Sequence, residues 1–240
     1  MKDVLKALSI RVGATLVAVL VVAAFSATAS ADPLLPGTGT GMQPGPSNIV
    51  YVAAGNTVLG VANTAVVASN INGVTFTGIA RAIVVRNAAG FLDFYYQFSN
   101  DATSLSSISR VTMGDFDAFT TNVFNILNGS AINATPGCAG CSFIDGTGDS
   151  SFVTRSADGN VVGFDYGPPI FSYGPGTTNL VVVIQTNATT FRPGDFNQID
   201  GAVGNAPAFA PSTAQIPEPS SMLLLGTALV GLAGALRKRP

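Results

Sequence analysis

Short apolar runs bounded by turn-forming residues organise the middle of the chain. Leu92, Phe94, Tyr96 and Phe98 alternate with Asp93, Tyr95 and Gln97, a period of two that predicts a strand with one apolar face. Val162, Phe164 and Tyr166 repeat the pattern against Gly163 and Asp165. Residues 180–184 are apolar at every position, which predicts a central strand covered on both faces. Further strands are predicted at residues 49–53, 74–78, 79–85, 107–113 and 152–155, with Asn72-Gly73 and Asp158-Gly159 as turn pairs that tolerate positive φ. Many short strands with such punctuation predict an all-β fold, an antiparallel β-sandwich of jelly-roll-like or similar topology. One segment supports two readings: Phe116, Phe119, Val123 and Leu127 recur at helical spacing, while residues 123–127 also suit a strand.

The flanks follow other rules. Over residues 32–47, Pro33, Pro36, Pro44 and Pro46 are interspersed with Gly37, Gly39, Gly41 and Gly45, which predicts a mobile linker ahead of a cargo domain at 48–209. Residues 210–216 read as a second spacer. Lys2, Lys6 and Arg11 precede an apolar stretch over 12–25 and then small residues, the order of a secretory signal peptide (residues 1–31) that the Sec translocon and signal peptidase would handle. Ala31 is the preferred cleavage residue and Ala29 the alternative.

At the other end, Pro217-Glu218-Pro219 is followed by an apolar run and by Arg237-Lys238-Arg239. Each proline fixes its own φ and disfavours helix in the residue before it, so Ile216 and Glu218 are expected to be extended. A processing enzyme could grip such a segment as a strand. Residues 220–236 as a helix would span about 25 Å, slightly short of a bilayer core of roughly 30 Å. The basic cluster acts as a cytoplasmic stop signal, which places the triplet and everything before it across the membrane.

Ile216-Pro217-Glu218-Pro219-Ser220, the short transmembrane helix and the basic end together resemble the PEP-CTERM sorting signal; Ile216 stands where Val is common. The resemblance implies recognition by exosortase, a membrane-embedded cysteine enzyme of Gram-negative bacteria that make exopolysaccharide. Catalytic residues would belong to that partner, and Pro217, Glu218 and Pro219 would be the recognised positions. It also implies transient membrane anchoring followed by release to the cell surface or the medium. More loosely, residues 161–164, 180–190, 199–201 and 209–211 resemble a block in uncharacterised secreted β proteins with the same tail, a likeness that implies a shared fold and no activity.

Composition sharpens the picture once both signals are set aside. Residues 32–215 hold eleven Asp and five Arg, with no Lys, Glu or His, a net charge near −6. Nucleic-acid binding is disfavoured, because phosphate recognition needs clustered Lys or Arg. Histidine is missing as a general base and lysine as a Schiff-base nucleophile, so the cargo is expected not to be an enzyme.

Candidate chemistry is sparse. Cys138 and Cys141 are predicted to form a small disulfide, since an exported chain meets oxidising conditions. Two cysteines without histidine cannot supply a structural zinc set, and no cofactor is expected. Asp145 and Asp149, in a Gly-rich stretch, could meet calcium or form a simple acidic turn; the spacing lacks the EF-hand order. A paired-carboxylate hydrolase would need two aspartates across a groove, and nothing singles out a pair among Asp115, Asp117, Asp165, Asp195 and Asp200. Two functions therefore compete: a noncatalytic surface or matrix protein associated with exopolysaccharide or biofilm, and a carbohydrate-binding module using Phe91, Tyr95, Tyr96, Tyr166 and Tyr173. Exposure of those rings in a row distinguishes them.

Overall fold

The computed structural model describes residues 31–41, 48–167 and 173–213. The signal peptide except Ala31, the Pro217–Pro219 triplet, the apolar run over 220–236 and Arg237-Lys238-Arg239 lie outside the described residues. No helix among the described residues is long and apolar enough to cross a membrane.

Two sheets face each other. The first holds, in spatial order, β4 (Thr57–Asn70), β5 (Gly73–Arg86), β6 (Leu92–Asn100), β11 (Val181–Thr186) and β8 (Thr121–Ile126). Two short pieces share the far edge of β8: β1 (Asp32–Pro33) runs antiparallel to it and β3 (Asn48–Ile49) parallel. The second sheet runs β13 (Val203–Ser212), β12 (Thr190–Ile199), β7 (Arg110–Met113), β10 (Val162–Asp165), β9 (Phe152–Arg155) and β2 (Gly39–Gly41). Every named pairing except β3 with β8 is antiparallel, as the turn punctuation predicts.

Between the sheets lies an aromatic core. Phe94, Tyr96 and Phe98 of β6 point inward and meet Phe116, Phe196 and Tyr173 at centroid distances of 5.8, 5.3 and 6.2 Å. All six side chains are fully buried. Rings of this size bury large apolar areas, so these three contacts anchor the packing of sheet on sheet.

The outer face of the first sheet is covered too, which corrects the expectation of one apolar face for β6. Tyr95, Val183, Phe124 and Ile83 form a second cluster with Tyr51, Ile132 and Phe143. The cover comes from a loop beginning with a 3-10 turn at Gly129–Ala134 and running on past the cysteines. Gln97 clamps it, donating from Nε2 to Ile144 O (2.7 Å) and accepting at Oε1 from Ile144 N (3.0 Å). Close approach requires glycine at Gly146, where a Cβ would fall 2.0 Å from Asn179 O. The apolar run over 180–184 had signalled this double cover, and β11 is central with Val181 to Ile184 fully buried.

Several boundaries move. The expected strands at 74–78 and 79–85 are one, β5, paired along its length with β4, which the sequence pattern did not place. Their hairpin turns through Ile71 and Asn72, with Gly73 at φ 115. Of the two readings for 116–127 the strand holds, as β8, because its residues pair with β11 and leave Phe116 in the core. The predicted strand at 49–53 is reduced to Asn48–Ile49. The reading of 32–47 as a mobile linker is corrected over residues 32–41: β1 and β2 pair with β8 and β9, and Leu34 is buried in the main core. Likewise β13 runs to Ser212, so residues 210–212 belong to the sheet. Pro207 and Pro211 are tolerated there because β13 is an edge strand whose outer side forms no ladder.

Arg155 fixes the N-terminal segment. At 4% exposure it donates from Nε to Gly159 O (2.9 Å), from Nη1 to Leu34 O and Thr121 Oγ1 (3.1 Å each), and from Nη2 to Phe116 O (2.6 Å) and Phe119 O (2.8 Å). One guanidinium thereby ties three stretches of chain, at Leu34, Phe116–Thr121 and Gly159, to β9.

Candidate functional site: an outer pocket and the exit of the last strand

The disulfide is present. Cys138 and Cys141 are bonded with Cα atoms 5.3 Å apart, and among the described residues there is no free cysteine. The turn they close rests on the β4–β5 hairpin, where Asn63 Nδ2 donates to Gly140 O at 2.7 Å. Both cysteines pack against the outer cluster. The bond therefore holds part of the cover over β6 and β11.

Asp145 and Asp149 serve different neighbours. Exposed Asp145 accepts from Ser130 N (2.9 Å) and Ser130 Oγ (2.8 Å), and those two bonds draw its carboxyl below the usual range. Buried Asp149 accepts from Asn125 Nδ2 (2.6 Å) and Asn48 Nδ2 (2.8 Å), and burial pushes it up despite them. The two carboxylates are not brought to a common point: one pins the 3-10 turn, the other the edge of β8.

The five rings form no platform. Tyr95, Tyr96, Tyr166 and Tyr173 are at most 3% exposed, and only Phe91, at 41%, meets solvent. Tyr96 donates to Phe209 O at 2.6 Å, Tyr173 donates to Phe98 O, and Tyr166 Oη accepts from Asn179 Nδ2 at 2.8 Å. These are core tyrosines with satisfied hydroxyls, which overturns the ring-platform expectation. Period-two alternation reports which face a side chain takes, and here both faces are covered.

The candidate aspartates occupy different surroundings, except that Asp115 and Asp117 line one groove. Asp165 receives both Nη1 bonds of Arg110, at 2.6 and 2.7 Å, and Asp195 accepts from Asn205 Nδ2 at 3.1 Å. Asp115, held at φ 72 by its N–H bond to Asn160 Oδ1, pairs with Arg192 at 3.0 Å. It lines an open groove of about 580 Å³ with Asp117, Phe119 and Phe191. Thr213, the last described residue of the C-terminal strand region, lines the same groove.

Those residues decide the broad role, for residues 215–239 match a family model described as the PEP-CTERM protein-sorting motif. The chain carries a PEP-CTERM signal. The motif implies exosortase as a processing partner and export with sorting to the cell surface of a Gram-negative bacterium. The last described strand before the motif, β13, is an edge strand of its sheet. No curated protein and no solved structure matches this PEP-CTERM chain, so the looser likeness of its cargo to other secreted β proteins has no support.

A pocket of about 440 Å³ opens on the outer face of the first sheet, and the sequence pattern did not suggest it. Its walls include Ile49, Tyr51, Tyr95 and Phe124, and its polar groups include Asp93 and Gln185. Asp93 is 2% exposed and accepts from Asn87 Nδ2 at 3.0 Å and Gln185 Nε2 at 3.4 Å. Burial raises its pKa to about 7, against the lowering effect of the two amides. Strand register builds the group: Asp93 pairs with Gln185 of β11, and Asn87 anchors the β5–β6 turn by accepting from Ala89 N and Phe91 N. The solid apolar run of β11 signals a strand covered on both faces, but only the sheet order shows that β6, with Asp93, lies beside it.

Proposed function

We propose that this chain is a noncatalytic surface or extracellular-matrix protein, delivered by exosortase into an exopolysaccharide-rich envelope or biofilm. The sorting motif at 215–239 carries this reading. The Sec translocon and signal peptidase would start the route, and the membrane would hold the C-terminal helix until exosortase acts at Pro217, Glu218 and Pro219. The noncatalytic part is supported by composition: without histidine in the chain, or lysine over 32–215, the commonest general base and the Schiff-base nucleophile are missing. The engagement of Asp165 with Arg110 and of Asp115 with Arg192 agrees with it.

Alanine replacement of Pro217, Glu218 and Pro219 tests the reading in a host that makes the enzyme. The expected product is full-length, membrane-retained protein, against a shortened product at the surface or in the medium for the native chain. Unaltered processing of the triple-alanine chain would refute recognition at this motif.

A further inference from the structure

A buried carboxylate is stable only when other charges or hydrogen bonds replace the water it has lost. Asp93 has one amide bond of good length and a second at 3.4 Å, beyond the usual range for N–H···O. Neither ion pair among the described residues involves it. Asp93 supplies the one formal charge among the residues lining the 440 Å³ pocket, which contains no Lys or Arg. Tyr51 and Tyr95 stand edge to face at 6.0 Å in its wall, beside Phe124. A single negative charge in the lining of a pocket that also holds three aromatic rings complements a small cation on two counts. It provides the missing countercharge, and ring faces attract ammonium groups. A volume of this size accommodates a body about as large as one sugar ring.

We propose that this pocket binds a primary ammonium group, carried by a small hydroxylated molecule or by an amino-sugar residue of a polymer, with Asp93 as its counter-ion. The ammonium replaces the water that folding removes from the carboxylate. Gln185, at the pocket wall, and Asn87, in the turn beside it, orient the acid. This assignment goes beyond sorting and holds whether or not the tail is cut.

Isothermal titration of the full chain in a neutral detergent at pH 7.5 tests it. Ethanolamine and glucosamine are the probes, and ethylene glycol and glucose their uncharged counterparts. The expected result is saturable binding of an amine at least tenfold tighter than its counterpart; preference for glucosamine assigns the polymer source, preference for ethanolamine the free amine. Asp93→Asn abolishes this difference, while Asp149→Asn, which removes another buried acid, leaves it intact. Gln185→Lys places an internal ammonium beside Asp93 and blocks the probes without removing the carboxylate, which guards against loss of fold in the first variant. Ethanolamine binding weakens as pH falls through about 7, because Asp93, whose carboxyl burial raises to that range, takes up a proton and loses its charge; the pocket lining brings no Lys or Arg beside it. Equal binding of amines and neutral counterparts, absence of saturable amine binding, or full binding by Asp93→Asn would each overturn the proposal.

Discussion

Arg155 and Asp93 are both charged side chains withdrawn from water, at 4% and 2% exposure, yet their surroundings are opposite. Arg155 sends five hydrogen bonds to carbonyl and hydroxyl oxygens on three stretches of chain, so its charge is spread over a closed cradle. Asp93 has two amide donors, one of them distant, and an open pocket beside it. Burial alone therefore does not tell a structural ion from a binding one. The number and geometry of its partners do: a saturated cradle holds the fold together, while an undersupplied carboxylate leaves room for a ligand.

Breaking the cradle should have the largest effect. Arg155→Met keeps much of the volume and strands the carbonyls of Leu34, Phe116, Phe119 and Gly159; a loss of about 3–5 kcal/mol is expected in urea unfolding. A loss below about 1 kcal/mol would mean that water or neighbouring groups take over those oxygens, and the contrast with Asp93 would fail.

The pocket acid should give the next largest effect, with the opposite sign. Its folded pKa, about 7, lies above the ordinary 3.8, so between those values the folded state holds a proton that the unfolded chain releases. Its contribution to stability is full below about 4 and is lost as pH rises through 7. Asp93→Asn should therefore match the native chain near pH 4 and exceed it at pH 8, by up to about 4 kcal/mol. Thermal melts of both proteins from pH 4 to 8 check this. Parallel curves would show that the acid is as well served as the arginine.

The disulfide should matter least. Closing a ring between Cys138 and Cys141 restricts few unfolded conformations, so Cys138→Ser with Cys141→Ser should cost about 2 kcal/mol or less. Faster hydrogen exchange should follow over 129–146, the cover of the outer cluster, with little change at Arg155. Exchange that rises equally in both places would show that cover and cradle unfold together.

How far the sequence could be read depended on whether a signal was local. The hairpin glycines, the alternation in β6 and β10 and the solid apolar run of β11 report local geometry, and each marked a strand. β4 escaped notice because Thr57 to Asn70 is rich in small residues with weak alternation, and it is held by β5 rather than by its own preference. The proline- and glycine-rich residues 32–41 resembled a linker because β1 and β2 are two or three residues long and exist only as additions to the edges of β8 and β9. The Asp93 pocket was hidden for the same reason: a period of two assigns Asp93 to one face of its strand but cannot say that a loop more than thirty residues away covers that face.

The sequence by itself determined the address and the class of fold. A proline-flanked tag, a short apolar run and basic residues act through composition and order, and alternation with turn pairs specifies antiparallel strands without knowledge of their partners. Tertiary structure alone decided which charges would be buried and how well each would be partnered. Burial and hydrogen bonding are set by segments distant in the chain: Leu34, Thr121 and Phe116 meet at Arg155, and Tyr51, Asn87 and Gln185 gather around Asp93.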